Sequence, residues 1–265
     1  VGSAGRTPTE KYEGVWGALR DVAARVAADE PDLSRAVRLV EAEQRNLSLE
    51  PLGGIALGTP VTLPRAALFG GRRDLIQRAL LEACVPETSM VVELGSGPGL
   101  NLLDLYLWGG PRVPYYALEP TESGRACTTV LAELDPDLDL RTAAYDYRRP
   151  DYEALPTGNP HVLVYTVQSI EQMTTLSREV VTGLFALGDR VTGVHFEPVG
   201  WQILEEPGTS QHGYATRQGF NRNLWPLLQE LEREGELTID SVAPNVFGHK
   251  VKNACTLIVW HAPAD

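Results

Sequence analysis

Two periods of apolar and polar residues run along this chain, and the change from one to the other divides it. From Thr9 the residues Tyr12, Val15, Trp16, Leu19, Val22, Ala23 and Val26 recur at intervals of three and four, the apolar stripe of an amphipathic helix. Leu33, Ala36, Val37 and Val40 repeat the pattern, so a second helix is expected after Asp29-Glu30-Pro31, capped by Asp29 with the proline in its first turn. Ser48 to Arg65 holds Pro51, Gly53, Gly54, Gly58, Pro60 and Pro64 and reads as a turn-rich connector that wraps over a ligand. Arg65 would answer a carboxylate there or simply stand on the surface. Helix resumes from Arg72 to Cys84.

Beyond that point short, continuous apolar runs take over, as in strands buried on both faces. Strands are expected at 90–94, 114–118, 140–144, 161–166 and 190–196, with helices between them: one after the glycines that follow Leu94, one capped by Thr121, and one from Met173 to Leu187. About twenty residues follow Pro198 without clear periodicity, the kind of long loop that is usually a lid or a binding loop. Asn221 or Asn223 then caps a helix with Leu224, Leu227, Leu228 and Leu231, stopped by Gly235, and Leu237–Val242 and Ala254–Trp260 read as a closing pair of strands split by 244–252. The expected fold is α/β, doubly wound, a mostly parallel seven-stranded sheet with a closing antiparallel hairpin and an N-terminal helical cap. Residues 1–70 would form cap and connector, and 71–265 the catalytic domain with its substrate loop near 198–221. The two N-terminal helices are either a substrate-facing lid or support for the sheet or for a homodimer contact, because a stripe says only that something apolar is covered.

The candidate chemistry gathers at the strand ends. Met90 to Leu107 passes from strand through Gly95-Ser96-Gly97-Pro98-Gly99 into helix, which presents free N–H groups and a positive helix end to a ligand. A dinucleotide fingerprint would space its third glycine one residue later. Glu119 closes the second strand, where a ribose diol is gripped in nucleotide-binding sheets. Asp146, flanked by Tyr145 and Tyr147, follows the third, Gln168-Ser169-Ile170-Glu171 the fourth, and His195-Phe196-Glu197 ends the fifth.

Glu93-x-Gly95-x-Gly97-x-Gly99 with these strand ends resembles the class I S-adenosylmethionine-dependent methyltransferases over roughly residues 70 to 262. Ser169-Ile170-Glu171-Gln172, Gly219-Phe220-Asn221-Arg222-Asn223-Leu224 and the closing run Asn253 to Trp260 resemble a bacterial subgroup that modifies amino acids or specialised metabolites. The resemblance implies S-adenosyl-L-methionine as cofactor, held by Glu93, Gly95, Ser96, Gly97, Gly99, Glu119, Asp146, Tyr147 and Gln168, with Asp146 on the adenine amino group. It implies methyl transfer to a small polar metabolite, and the fourth-strand sequence departs from the signature of amide and base N-methyltransferases.

A general base is needed for a hydroxyl or a protonated amine, and His195 and Glu171 are the candidates. His195 sits in an apolar run and reads equally as a core histidine. Glu171 reads as a partner for a cationic group or as a first-turn carboxylate of the helix after it. Ser169, Glu197, Trp201, His212 and Tyr214 complete the expected substrate contacts, the aromatic ones being walls or core edge. A nitrogen acceptor is favoured on the acidity of the chain and on Glu171; an oxygen acceptor with His195 as base, a nicotinamide-dependent oxidoreductase and a non-catalytic binding protein are the alternatives.

Charge and cysteine count narrow the partners. Lys and Arg number 23 against 35 Asp and Glu, a formal charge of -12, which argues against nucleic acid. The pairs Arg72-Arg73 and Arg148-Arg149 read as solvated ends of elements. Cys84, Cys127 and Cys255 have neither zinc nor disulfide spacing, no metal site is expected, and no apolar run is long enough for a membrane span. With no apolar core of a secretory signal in its opening residues, the chain is expected in the cytoplasm.

Overall fold

The computed structural model describes residues 7–204, 210–250 and 254–262; the opening segment, the middle of the loop after Pro198 and Asn253 of the closing motif lie outside these. Helix α1 (Pro8–Asp29) begins with a reciprocal cap in which Thr7 and Glu10 bond each other's backbone N–H. Asp29 is the last residue of α1, and α2 (Leu33–Arg45) is capped instead by Asp32, whose carboxylate accepts the Arg35 N–H at 2.8 Å. Pro31 therefore precedes the cap and separates the two helices.

The connector is not a loop. It folds into β1 (Pro51–Ala56) and β2 (Thr59–Pro64), joined by a two-residue turn in which Leu57 and Gly58 both have positive φ, at 49° and 74°. Helix α3 (Arg65–Ala83) leads from it to β3 (Thr88–Leu94), α4 (Leu100–Leu107), β4 (Tyr115–Leu118), α5 (Glu122–Ala132), β5 (Leu140–Ala143) and β6 (Asn159–Val167). Thr121 caps α5 as its sequence requires. The expected helix from Met173 to Leu187 is replaced by the single turn α6 (Glu179–Thr182) between two 3₁₀ turns, Ile170–Gln172 and Phe185–Leu187. The cause lies far along the chain: the Asn223 side chain takes both the N–H and the carbonyl of Leu176, each at 2.9 Å, and holds that stretch out of a helix. After β7 (Gly188–Glu197) come α7 (Gly200–Ile203), α8 (Ser210–Gln218), α9 (Leu224–Arg233), β8 (Thr238–Gly248) and β9 (Cys255–Ala262). Much of the expected long loop is thus helical, and β8 continues past Pro244 with a break in its register on β9 between Ala243 and Phe247.

One sheet holds nine strands in the order β2-β1-β8-β9-β7-β6-β3-β4-β5. Strands β5, β4, β3, β6 and β7 are parallel, and β9 runs antiparallel between β7 and β8. Seven of these are the strands expected; the hairpin β1-β2 adds two at the edge of β8 through Ile55↔Gly248 and Ala56↔Phe247. Two of its prolines, Pro51 and Pro64, face each other at the open end of the pairing, where a missing N–H costs least, and Pro60 lies on the edge strand opposite Ile55.

Two cores cover the two faces. One packs Val162, Val164 and Trp260 against Leu224, Leu228 and Leu231 of α9. The other packs Val91, Leu163 and Tyr165 against α4 and α5 and also takes Leu19 and Ala23 of α1 and Ala36, Val37 and Val40 of α2. The N-terminal helices therefore share the sheet's own core. Glu13 of α1 accepts the Glu122 and Ser123 N–H groups at 2.9 and 3.0 Å, satisfying first-turn donors of α5.

Candidate active site

The sheet reverses its winding at β3, which pairs with β4 on one side and β6 on the other, and a ligand crevice is expected beyond the carboxyl ends of these strands. A cavity of about 300 Å³ opens there. Gly95, Ser96, Gly97, Glu119, Asp146, Tyr147, Gln168, Ser169 and Glu171 all line it. Six other expected residues, Glu93, Gly99, His195, Glu197, Trp201 and His212, do not line it, and neither does Tyr214.

The glycine loop is shaped by packing as much as by access. All three glycines have positive φ, and a Cβ at Gly95 would lie 2.5 Å from that of Ser169, at Gly97 3.1 Å from the Trp16 ring, and at Gly99 2.5 Å from Thr128. Gly99 thus seats the loop against α5 outside the cavity. Glu93 is buried beneath the loop, accepting Asn101 Nδ2 at 2.7 Å and the Tyr165 hydroxyl at 3.3 Å, and burial pushes its pKa up to about 8. It reaches the cavity only through Asn101, which lines it. Glu119 accepts the Gly97 N–H at 2.9 Å and the Thr121 hydroxyl at 2.6 Å, so the loop and the second strand end are tied together. Ser96 Oγ is buried without a partner.

The floor is a turn held from below. Ser169 Oγ and the Tyr147 hydroxyl both donate to the Leu94 carbonyl, at 2.8 and 2.9 Å. Beneath them Glu197, fully buried, accepts the N–H groups of Ser169, Ile170 and Glu171 at 3.0, 3.2 and 3.2 Å. Glu171, placed by this turn, accepts Gln172 Nε2 at 2.9 Å through one oxygen, while the other, Oε2, is buried with no partner. Burial and the Glu197 carboxylate beside it raise the Glu171 pKa to about 8. The first-turn role for Glu171 fails, because no helix starts at Met173.

His195 is in the core instead. Trp260 Nε1, which can only donate, gives its hydrogen to His195 Nε2 at 2.9 Å, so the proton of the imidazole resides on Nδ1 and is donated to Thr166 Oγ1, also at 2.9 Å. The Thr166 hydroxyl in turn bonds Glu197. Burial holds the His195 pKa down at about 4. Both ring nitrogens are engaged and His195 does not line the cavity, so its surroundings speak against a base role. Trp201 and His212 stack on each other, ring centroids 4.7 Å apart, and Gln211 fixes that corner by accepting the Trp201 N–H and donating to the Ala254 carbonyl. Tyr214 packs edge-on against Phe220, near enough to Tyr12 to help raise its pKa to about 12, after burial, Glu171 and Glu119.

Several lining residues carry no strand-end signal. Tyr12 and Trp16 stack at 5.6 Å on α1 and form one wall, Asn101 lies in the first turn of α4, and Gln44, Arg45 and Arg72 come from α2 and α3. The one clue in sequence to the wall was that two neighbouring positions of the α1 stripe are aromatic. Arg72 is buried and donates to Gln168 Oε1 at 2.9 Å, and Arg73 is paired with Glu41, so neither is a solvated helix end. Arg65 donates to the Arg45 carbonyl rather than to a carboxylate.

No family model and no curated protein matches the chain. Solved structures do. A geranyl diphosphate methyltransferase in complex with GPP and sinefungin aligns over 97% of this chain and 99% of that one with a TM-score of 0.55 at 12% identity. A geranyl diphosphate C-methyltransferase from Streptomyces coelicolor A3(2), in complex with Mg2+, geranyl diphosphate and S-adenosyl-L-homocysteine, aligns over 76% and 81% with a TM-score of 0.52 at 9% identity. The chain has the class I methyltransferase fold. Within that fold the antiparallel β9 between β7 and β8 departs from the wholly parallel dinucleotide sheet, and the glycine loop, Glu119 and Asp146 stand at three successive strand ends of one crevice. Among the described residues no helix is long and apolar enough to cross a membrane.

Proposed function

We propose that the chain is a methyltransferase that uses S-adenosyl-L-methionine to modify a small molecule, with Glu171 accepting the proton of the acceptor group. The observation that carries this reading is the unpartnered Oε2 of Glu171, buried in the same cavity as the glycine loop and Glu119. A buried polar atom without a partner is costly unless a ligand supplies one.

The residues present fit the cofactor. Glu119 closes the second strand with its carboxylate at the cavity, suited to a ribose diol; Asp146 is half-exposed at the rim, suited to the adenine amino group; the unbonded Ser96 Oγ and the Gly95–Gly97 backbone suit the amino-acid end. When bound, the cofactor supplies a methyl group already made electrophilic by its sulfonium. What remains for the protein is orientation, exclusion of water and removal of a proton. Tyr12 and Trp16 wall the site from α1, and the Glu197-held turn fixes where the Glu171 carboxylate points. A carboxyl with its pKa near neutrality is well matched to taking a proton in that range. Nitrogen stays our favoured acceptor: an ammonium must surrender a proton to Glu171 before its lone pair can attack, and a cation seated there would draw the carboxyl to its charged form.

The test is incubation with methyl-labelled S-adenosylmethionine and a pooled panel of amino acids, amines, guanidines, phenols, carboxylates and prenyl phosphates, followed by mass spectrometry. A labelled product that disappears in Glu171→Gln is the expected result. Retained cofactor with no product from any class would favour a binding protein on this fold, and NAD retained in place of S-adenosylhomocysteine would overturn the reading.

A further inference from the structure

Beside the cavity, basic side chains converge around one aromatic ring. Helix α3 presents Arg65, Phe69 and Arg72 on a single face. The guanidinium of Arg45, the last residue of α2, lies 5.1 Å from the Phe69 ring centroid, that of Arg65 lies 5.9 Å from it, and the His249 ring tilts over it at 5.6 Å. Arg65 is occupied with the Arg45 carbonyl and Arg72 gives one nitrogen to Gln168. Glu41, the acid that partly offsets the field at Arg45, is already bonded by Arg38 and Arg73 at 2.6 and 3.1 Å. Among the described residues no carboxylate forms an ion pair with Arg45 or Arg72, and both line the cavity.

The net electrostatic shift has the same sign at Arg45 and at His249. Burial first, and then the charge of Arg72, bring the Arg45 pKa down to about 9. Burial holds His249 at about 4, with Lys250, Arg72, Arg45 and Arg65 adding to it. Arg45 and Arg72 thus face one cavity with no carboxylate in ion-pair contact with either, although Glu171, on the same cavity, feels the charge of Arg72. Withdrawn cations of this kind are stabilised by an anion with a flat or forked set of oxygens.

We propose that Arg45 and Arg72 form an oxyanion site for the methyl acceptor, which is therefore a small molecule bearing a carboxylate or phosphate group away from its reacting atom. The assignment rests on the methyl-transfer reading of the same cavity. It goes to the acceptor rather than to the cofactor because Ser96 Oγ and the glycine loop already offer donors to the cofactor's amino-acid end, whereas Arg45 comes from α2, outside the loops that follow the sheet strands.

The experiment is calorimetric titration of the full chain, saturated with S-adenosylhomocysteine, with pyrophosphate, inorganic phosphate and succinate in turn. At least one anion is expected to bind the loaded protein, with affinity falling about tenfold in R45Q and in R72Q and less in R45K, while R45Q keeps its S-adenosylhomocysteine affinity within about threefold. The phosphate and succinate arms distinguish the two oxyanions, and circular dichroism melts establish that each variant folds. The proposal is overturned if no anion binds the loaded protein, if the anion displaces S-adenosylhomocysteine, or if R45Q loses the cofactor instead of the anion. If the wild-type chain holds no S-adenosylhomocysteine, the methyl-transfer reading itself fails, and the acceptor assignment falls with it. Titration of the unloaded protein then reports separately on whether the two arginines bind an anion.

Discussion

Glu171, in the turn after β6, and His195, near the end of the neighbouring parallel strand β7, are from sequence equal candidates for one job. Their surroundings separate them. His195 has both ring nitrogens engaged, by Trp260 and Thr166, and lies inside the sheet's core. Glu171 has one oxygen engaged and the other bare, in the cavity. Yet the two are linked, because Thr166 and Glu197 connect the imidazole to the backbone turn that carries Glu171. The lesson is that a satisfied polar network can serve an unsatisfied group by fixing its position, and that the unsatisfied atom marks the place for a ligand.

Substitution should pull the two apart. Glu171→Gln keeps the volume and the Gln172 contact but cannot take a proton, so turnover should fall by about a thousandfold while the thermal midpoint holds or rises. Near-normal turnover in that variant would remove Glu171 from the chemistry. His195→Ala should do the reverse. It empties a core site and orphans Trp260 Nε1 and Thr166, at a cost of about 3 kcal/mol in denaturant unfolding, with turnover per folded molecule retained within a few-fold. A large loss of turnover in folded His195→Ala would restore the imidazole to the mechanism.

Glu197→Gln tests the link between them, with a smaller expected effect. One side-chain oxygen still accepts, but an amide NH₂ now meets a backbone N–H of the turn, for a loss of about 1–2 kcal/mol. Turnover should drop roughly tenfold as Glu171 loses its fixed aim. A merely structural Glu197 would leave the pH profile unchanged. Here the rising limb should shift to lower pH, because the charge that raises the Glu171 pKa is gone.

How much of this was legible in the residues depends on which forces decide each element. The parallel strands and the glycine loop were readable because burial on both faces demands unbroken apolar runs, and positive φ favours glycine. The hairpin Pro51–Pro64 was not, since its prolines and glycines are loop residues anywhere but at a sheet edge, and its edge is supplied by β8, almost two hundred residues later. The helix after Met173 looked periodic, but Asn223 holds Leu176 out of a helix, a contact no local pattern encodes. In the cavity, the strand-end residues followed from topology. Tyr12, Trp16, Arg45 and Arg72 did not, because an amphipathic stripe reports what is covered and not that its end faces a ligand.

The same contrast should be visible, more faintly, in stability against pH. Glu171 and Glu93, at about 8, and Glu197, at about 7, keep protons in the folded chain that the unfolded chain releases from about 4.5 upward, so each makes stability fall as pH rises to its folded pKa. His161, His195 and His249, held at about 4, stay neutral where the unfolded chain takes a proton below about 6.5, so each makes stability fall as pH drops from there. Between 4.5 and 6.5 the two sets oppose each other and the curve should be shallow; from 6.5 to 8 only the acids act, and the denaturation free energy should decline by several kcal/mol. Glu171→Gln should recover part of that decline and His195→Phe none of it, since the imidazole is neutral in both states there. Equal declines in the wild type and Glu171→Gln would mean that the Glu171 carboxyl ionises as readily as one in water, and the reason for assigning it a proton-accepting role near neutrality would be lost.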